Sequence, residues 1–81
     1  MKIEILAFGI IKDIVGCPSL QLEIEGEIIS VKQLRNELEE RYPQFKSLSS
    51  YMIALNNSYA RDEEKINSTD EIALIPPVSG G

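Results

Sequence analysis

The chain has 81 residues, of which 43% are hydrophobic, and a formal net charge of −5. This length and composition suit one small domain with a single core, and the acidic balance argues against a nucleic-acid partner, whose phosphates need a basic surface. Because histidine is absent and Cys17 is the only cysteine, the sequence excludes an internal disulfide, multi-cysteine metal sites and catalysis that uses a histidine base.

The first third of the chain predicts two strands joined by a short helix. Residues 2–8 begin with alternating polar and apolar side chains, which predicts a strand with Ile3 and Ile5 facing the core. Gly9 ends this strand, and the apolar pairs that follow it predict a short turn of helix before Gly16. Residues 20–25 alternate strictly, which predicts a second strand with one buried face, paired with the first as a hairpin.

The next segment predicts the main helix. Ser30 is a favourable N-cap, and Gln33 three residues later completes a capping box. Glu37 and Arg41 are spaced to form an ion pair on the exposed side, and Pro43 ends the helix. The apolar residues that share one helical face are Val31, Leu34, Leu38 and Tyr42.

The second half of the chain predicts two longer strands and their connections. Residues 51–55 read as a strand, and the Asn-Asn-Ser turn after it leads into a short return strand at Tyr59-Ala60. Residues 71–75 are compact and mostly apolar, which is typical of a central strand. The polar segment 43–50 predicts a surface loop, and residues 61–70 predict a loop or a turn of helix.

This order of elements predicts an α+β protein with the β-grasp, ubiquitin-like fold. The sheet is expected to be mixed, with four to five strands, the last strand central and one main helix packed on one face. We expect the folded domain to comprise residues 1–75. Residues 76–81 are expected to form an extended tail.

The tail has a composition that suits threading into a partner. Pro76 and Pro77 cannot donate backbone hydrogen bonds and stiffen the exit from the last strand. Gly80 and Gly81 have no side chains, so they fit a narrow channel, and the tail can reach roughly 20 Å when extended. Its expected end is a free carboxylate, which adenylation makes reactive. The plain alternative is that the glycines belong to a frayed terminus.

Residues 70–81 resemble the C-terminal signature of the small subunits of molybdopterin synthases. The signature combines an acidic pair, an apolar strand, a double proline and a terminal diglycine. Phe8 at the end of the first strand, the segment 14–16 and Leu55-Asn56 before the turn agree with the same family. Thr69 departs from it, because family members often have glycine there.

The resemblance implies a sulfur carrier that is not catalytic alone. In that family the terminal glycine, here Gly81 after Gly80, is adenylated by a ubiquitin-activating-like enzyme that uses ATP, and becomes a thiocarboxylate. The tail then enters the large synthase subunit, with which the small subunit is expected to form a heterotetramer, and gives sulfur to a cyclic pyranopterin. Two transfers build the dithiolene that binds molybdenum or tungsten. This chain itself is expected to bind no cofactor and no metal.

The expected docking residues surround the tail. Phe8, Tyr59 and Ile75 are interpreted as an exposed apolar patch beside it, although they could instead be core residues. The other residues expected to contact a partner are Pro76, Pro77, Val78 and Ser79. Cys17 is interpreted as incidental, since no cation stands near it in sequence. Asp70 and Glu71 could meet basic residues around a partner's channel.

Three functions remain compatible with the sequence. Besides the molybdopterin synthase subunit, they are another carrier of the same chemistry, either in the thiamine pathway or as a protein modifier, and a ubiquitin-fold interaction module without chemistry. One residue added after Gly81 should abolish a carrier and leave an interaction module unaffected. No apolar stretch approaches the ~20 residues of a membrane span and the first residues do not resemble a secretory signal, so we expect a cytoplasmic protein with no membrane partner.

Overall fold

A computed structural model describes residues 1–48 and 51–76 of the chain. These residues form a mixed sheet with two α-helices, a 3₁₀ helix and a small second sheet. The strands are β1 (Lys2–Ala7), β2 (Ser19–Glu23), β3 (Ile29–Ser30), β4 (Met52–Leu55), β5 (Ser58–Tyr59), β6 (Lys65–Ile66) and β7 (Ile72–Ile75). The helices are α1 (Gly9–Val15), α2 (Val31–Arg41) and the 3₁₀ helix Pro43–Ser47.

The main sheet has the strand order β2-β1-β7-β4-β5. Strand β1 pairs antiparallel with β2 and parallel with β7, and β7 also pairs antiparallel with β4. The last strand therefore lies in the centre, as its apolar sequence predicts. Together with α2 this arrangement confirms the predicted β-grasp architecture.

Helix α2 supplies one side of the core. Its residues Val31, Leu34 and Leu38 are fully buried, in one cluster with the inward side chains of the sheet. The predicted capping box is present: the Gln33 backbone N–H donates to Ser30 Oγ at 3.1 Å, and the Ser30 N–H donates to Gln33 Oε1 at 3.0 Å. These bonds satisfy two donors that a helix start leaves free, so they fix where α2 begins.

The turn between β4 and β5 has the conformation that its residues predict. Asn56 has φ of 51° and Asn57 has φ of 71°, both in the left-handed region that asparagine tolerates. Ala54 then pairs with Tyr59 across the hairpin. The turn thus returns the chain next to the central strands and places Tyr59 on the sheet.

The predicted surface loop at 43–50 is wrong for its first five residues. Pro43–Ser47 is a 3₁₀ helix, and Phe45 within it is only 1% exposed. The Phe45 ring lies 5.8 Å from that of Tyr42 and 5.3 Å from that of Tyr51, measured between centroids. A single aromatic residue among polar neighbours has no periodicity to reveal it, yet its burial against two other rings orders the segment.

The prediction for 61–70 is wrong where the chain forms β6. Ile29 pairs with Ile66 in a two-stranded antiparallel sheet, and both are buried. The Val31 backbone N–H donates to the Glu64 carbonyl at 2.9 Å. A strand of two residues is too short for a sequence pattern, so its existence depends on a partner more than thirty positions away.

Candidate functional site

A shallow groove of about 370 Å³ lies on the outer face of the main sheet. This face is opposite to the core, because the groove residues Leu6, Ala73 and Ile75 alternate along their strands with buried neighbours. The side chains that line the groove are Leu6, Phe8, Ala54, Asn57, Tyr59, Glu71, Ala73 and Ile75.

The three residues expected to form an apolar patch all line this groove. Phe8 is 48% exposed and Tyr59 is 65% exposed, so neither is a core residue. Ile75 is half-buried on the outer face, whereas its neighbour Leu74 is fully buried. The fold thus brings together side chains from three distant parts of the sequence. Their role in docking stays a prediction.

The residues between these three are not indicated as groove residues by the sequence alone. Leu6 and Ala73 are directly paired in the parallel β1–β7 register and form the floor of the groove. The alternation in residues 2–8 places Leu6 on the face opposite to the inward Ile5, so the sequence pattern does predict that Leu6 lies on the outer face. The pairing of β1 with β7, which brings Ala73 beside Leu6, could not be read from either strand alone.

The start of the tail is seated at the edge of the groove. Pro76 follows Ile75 and is half-buried. A Cβ placed on Gly9 would lie 3.0 Å from Pro76 Cγ, so the two residues are in close contact. Gly9 has φ of +55°, a value that glycine adopts readily. The other predicted tail residues, Pro77, Val78, Ser79, Gly80 and Gly81, lie outside the described residues.

Residues 5–81 match the ThiS family, a match that includes every residue of the groove and the tail. This chain belongs to the ThiS family. The predicted relationship to sulfur-carrier subunits is confirmed by a molybdopterin synthase sulfur carrier subunit from Dictyostelium discoideum, which is 40% identical over 99% of this chain and 96% of its own length.

Two solved structures resemble this ThiS-family chain closely. A complex of subunits 1 and 2 of the molybdopterin-converting factor from Helicobacter pylori contains a chain that is 29% identical, with a TM-score of 0.67 and full coverage of both chains. The small archaeal modifier protein 1 from Methanosarcina acetivorans is 26% identical, with a TM-score of 0.77 over 99% of this chain and 96% of that protein. Both likenesses extend over the whole β-grasp domain.

An acidic rim formed by Glu4, Asp70 and Glu71 lines a second depression next to the groove of this ThiS-family domain, and Leu6 and Glu71 line both. Glu4 accepts a hydrogen bond from Ser19 Oγ at 3.0 Å, and Asp70 accepts one from Asn56 Nδ2 at 3.1 Å. Within residues 1–48 and 51–76, no ion pair neutralises these three carboxylates. The rim therefore presents net negative charge beside an apolar floor, which favours a partner with basic residues around an apolar contact.

Side chains outside the groove have structural roles in this ThiS-family chain. Tyr51 is buried, its hydroxyl donates to Glu39 at 3.0 Å, and the Arg35 guanidinium lies 4.9 Å from the ring centroid. Burial, together with the Glu39 carboxylate, raises the pKa of Tyr51 to about 12, so it stays protonated at neutral pH. Cys17 is half-buried and its thiol contacts the Val15 carbonyl at 3.9 Å.

In the described part of the chain, no three metal-ligating side chains lie together, and no helix is both long and apolar enough to cross a bilayer. The chemistry available at this face is recognition, by an apolar groove, an acidic rim and a strand that leads straight into the tail.

Proposed function

We propose that this chain is the sulfur carrier subunit of a molybdopterin synthase, and that Gly81 carries the sulfur. The observation that carries the proposal is the family match, which runs from the first strand of the groove through the tail to Gly81. The Dictyostelium relative with the same subunit name supports it over almost the whole chain. The groove beside Pro76 provides a docking surface next to the tail.

The tail is charged in two steps on an activating partner. One oxygen of the Gly81 carboxylate attacks the α-phosphorus of ATP and pyrophosphate leaves, which gives an acyl adenylate. Hydrosulfide, or the terminal sulfur of a persulfide, then attacks the carbonyl carbon, and AMP leaves with that oxygen. With hydrosulfide the product is the thiocarboxylate directly; with a persulfide, a thiol must reduce the resulting acyl disulfide. ATP binds to the partner and not to this chain.

The charged tail then delivers its sulfur inside the large subunit. The thiocarboxylate sulfur attacks an oxygen-bearing carbon of the cyclic pyranopterin precursor, and the carbon–oxygen bond there breaks, with the oxygen leaving in protonated form. Water then cleaves the bond between that sulfur and the Gly81 carbonyl. This cleavage regenerates the carboxylate, and two such deliveries give one dithiolene. The proton transfers fall to the large subunit, since this chain has no histidine. We place these steps in the cytoplasm.

Two partners use the same face of this chain. The proposal that the large subunit is a partner is supported by the Helicobacter pylori neighbour, which is a complex of subunits 1 and 2 of the molybdopterin-converting factor. The assembly we propose is a heterotetramer of two large and two small subunits. The adenylating enzyme resembles the ubiquitin-activating enzymes, because the same acyl adenylate has to be made at the end of a β-grasp domain.

A second function is favoured by one specific likeness. The Methanosarcina structure is named a small archaeal modifier protein and covers almost all of this chain. A modifier would be activated by the same adenylation, but a lysine amine would then take the acyl group in place of sulfur. The two functions differ in the product: a thiocarboxylate that loses its sulfur, or a stable amide between Gly81 and another protein.

Intact-mass spectrometry tests the proposed function. The chain ending at Gly81 is incubated with the activating enzyme, ATP and a sulfur donor, and we expect a mass gain equal to replacement of one oxygen by sulfur. A chain without Gly81 and a chain with one residue added after Gly81 are the controls and should show no gain. Addition of the large subunit and the precursor should then yield molybdopterin.

Two results would contradict the proposal. No mass gain with an enzyme that charges a known carrier would leave an interaction module as the better account. A mass gain followed by conjugation to lysines, with no molybdopterin formed, would favour the modifier.

A further inference from the structure

We propose that Gly9 is a positioning residue for the tail, because the space left by its missing side chain is the seat of Pro76. The contact with Gly9 fixes the position of Pro76, the residue after which the rest of the tail follows in sequence. This inference rests on the proposed function, since it concerns how the tail is presented to a partner. Gly9 was identified from the sequence only as the residue that ends the first strand.

The contact is specific to these two residues. A Cβ on Gly9 would lie 3.0 Å from Pro76 Cγ and 3.6 Å from Pro76 Cβ. Outside the chain neighbours of Gly9 and the nearby backbone of α1, no other described heavy atom lies within 4 Å of that position. The Cβ of any side chain at position 9 would therefore press on Pro76 and on no other residue distant in sequence.

The corner that carries Gly9 is anchored on both sides. The Phe8 carbonyl accepts hydrogen bonds from the N–H groups of Ile11 at 3.1 Å and Lys12 at 3.4 Å, which begin α1. Ile11 is fully buried, so α1 is held against the core. The Ala7 N–H donates to the Pro18 carbonyl at 2.9 Å. Because this corner is fixed, an added side chain moves Pro76 and not Gly9.

Strand β7 is held more firmly than Pro76. Ile75 is paired with Met52 of β4, and the preceding Leu74 is paired on both sides, with Ala7 and Ile53. A push on Pro76 therefore turns the chain after Ile75 and leaves the groove in place. Reactions between positioned groups lose rate steeply when the groups are displaced by as little as ~1 Å. The expected loss is thus in the chemical step and not in docking.

The effect of a substitution at position 9 on the tail should increase with the size of the new side chain. An alanine Cβ at 3.0 Å meets the outer edge of the proline ring, and a change of ring pucker can relieve much of this contact. A valine adds two methyl groups in the same space, which ring pucker cannot relieve. We therefore expect Gly9→Ala to be mild and Gly9→Val to be severe.

Gly16 provides a matched control at the other end of α1. Its φ is +85°, and a Cβ there would have nothing within 4 Å. Gly16→Val therefore introduces a β-branched residue at positive φ, as Gly9→Val does, but without touching the tail. Any loss that is common to both variants reports backbone strain. A loss found only in Gly9→Val reports the seat of Pro76.

The test is the rate of thiocarboxylate formation with the activating enzyme and ATP, measured over a range of carrier concentrations. We expect Gly9→Val to lower kcat about tenfold or more, with KM changed by less than about threefold. Gly16→Val should stay within about twofold of the wild-type chain in both constants. Circular dichroism spectra and melting temperatures establish that the variants are folded.

A double-mutant cycle decides whether the effect passes through Pro76. Pro76→Gly removes the ring, and in that background Gly9→Val should cause almost no further loss of kcat. If Gly9→Val is too unstable to assay, the same cycle with Gly9→Ala gives the coupling. Equal losses in Gly9→Val and Gly16→Val, additive losses with Pro76→Gly, or a change in KM alone would overturn the inference. A wild-type chain that forms no thiocarboxylate would instead overturn the proposed function.

Discussion

Tyr59 exposes the largest fraction of any large apolar side chain in the groove, 65%. A tyrosine ring loses little conformational freedom when it is covered and gains both apolar contact and a hydrogen bond, which is why tyrosines are frequent at the energetic centres of interfaces. Because Tyr59 lies exposed on the two-residue strand β5, its ring contributes little to the stability of the fold. Its exposure is therefore explained better by a partner than by folding.

We expect Tyr59→Ser to weaken binding of the large subunit by about 2 kcal/mol, roughly thirtyfold in Kd, without lowering the melting temperature. Isothermal titration calorimetry of the purified complex measures the affinity. Ile28→Ser is the matched control, because Ile28 is 61% exposed and lies outside the groove. Equal losses of affinity for the two variants would show that the groove is not the docking surface.

Tyr51 makes a contribution to the free energy of unfolding that is lost at alkaline pH. Its pKa is raised from 10.0 to about 12 by burial and by the Glu39 carboxylate, so the folded state holds the proton that the unfolded chain releases. Below about pH 10 both states are protonated and the contribution is complete. Between about pH 10 and 12 only the unfolded state loses its proton, and the free energy of unfolding falls.

We expect this fall to be smaller in Tyr51→Phe. At pH 8 the variant should be less stable by about 1 kcal/mol, because it lacks the hydrogen bond to Glu39. As the pH rises above 10 the difference should shrink and then reverse. Urea unfolding at a series of pH values measures both chains under the same conditions. Parallel curves for the two chains would mean that Tyr51 does not titrate in this range.

At the scale of elements, the 3₁₀ helix Pro43–Ser47 connects α2 to β4 through one side chain. Phe45 packs between the rings of Tyr42 and Tyr51, so the segment is ordered by aromatic contacts and not by its short backbone pattern. Tyr51 in turn lies under Arg35 of α2. Removal of the Phe45 ring would therefore loosen both ends of the connection.

We expect Phe45→Ala to lower the free energy of unfolding by about 3–5 kcal/mol, a large part of the 5–15 kcal/mol typical of a domain. Chemical denaturation followed by circular dichroism measures the loss. Lys46→Ala, at the exposed neighbouring position, should change stability by less than about 0.5 kcal/mol. A Phe45→Ala variant as stable as Lys46→Ala would show that the aromatic cluster does not hold this segment.

The elements that were predictable are those whose signals are local. The capping box at Ser30, the turn at Asn56-Asn57 and the apolar run of β7 depend on residues a few positions apart. Strands β3 and β6 and the buried Phe45 depend on partners distant in sequence, and no local sequence pattern predicts them. Tertiary contacts decide such segments, so local propensity misses them.

The candidate site divides in the same way. Phe8, Tyr59 and Ile75 are predicted from the sequence as an exposed apolar patch beside the tail, and the fold does gather them in one groove. Leu6 beside Ala73 follows only from the parallel register of β1 and β7. The contact between Gly9 and Pro76 joins positions 67 apart, and neither residue type by itself indicates the other.

At the scale of the whole molecule, the acidic side chains behind the net charge of −5 are unevenly distributed over the surface. Glu4, Asp70 and Glu71 stand together beside the groove, whereas the carboxylates of α2 lie on another side of the fold and one of them pairs with Arg41. Charges at the rim of an interface mainly steer association, and their effect weakens as salt screens it. The rim should therefore affect the rate of encounter more than the lifetime of a complex.

We expect Glu71→Gln to lower the association rate constant with the large subunit about threefold at low salt, with little change at high salt. Stopped-flow or biosensor kinetics at several ionic strengths measure this. Glu40→Gln removes the same charge from an exposed position on α2 and should leave the rate constant nearly unchanged. Identical salt dependences for the two variants would assign the effect to net charge alone.

The central position of β7 has a consequence for how the protein is made. Residues 72–75 fill the gap between β1 and β4, so the sheet cannot close while they are still inside the ribosome. Until then the strand that pairs with both β1 and β4 is missing, and the sheet of the nascent chain stays incomplete. Pairing across so long a stretch of chain is also slow, because the connecting loop must be ordered first. The sheet therefore closes only after β7 has left the ribosome, and an activating enzyme that recognises the assembled groove would charge only molecules whose sheet is complete.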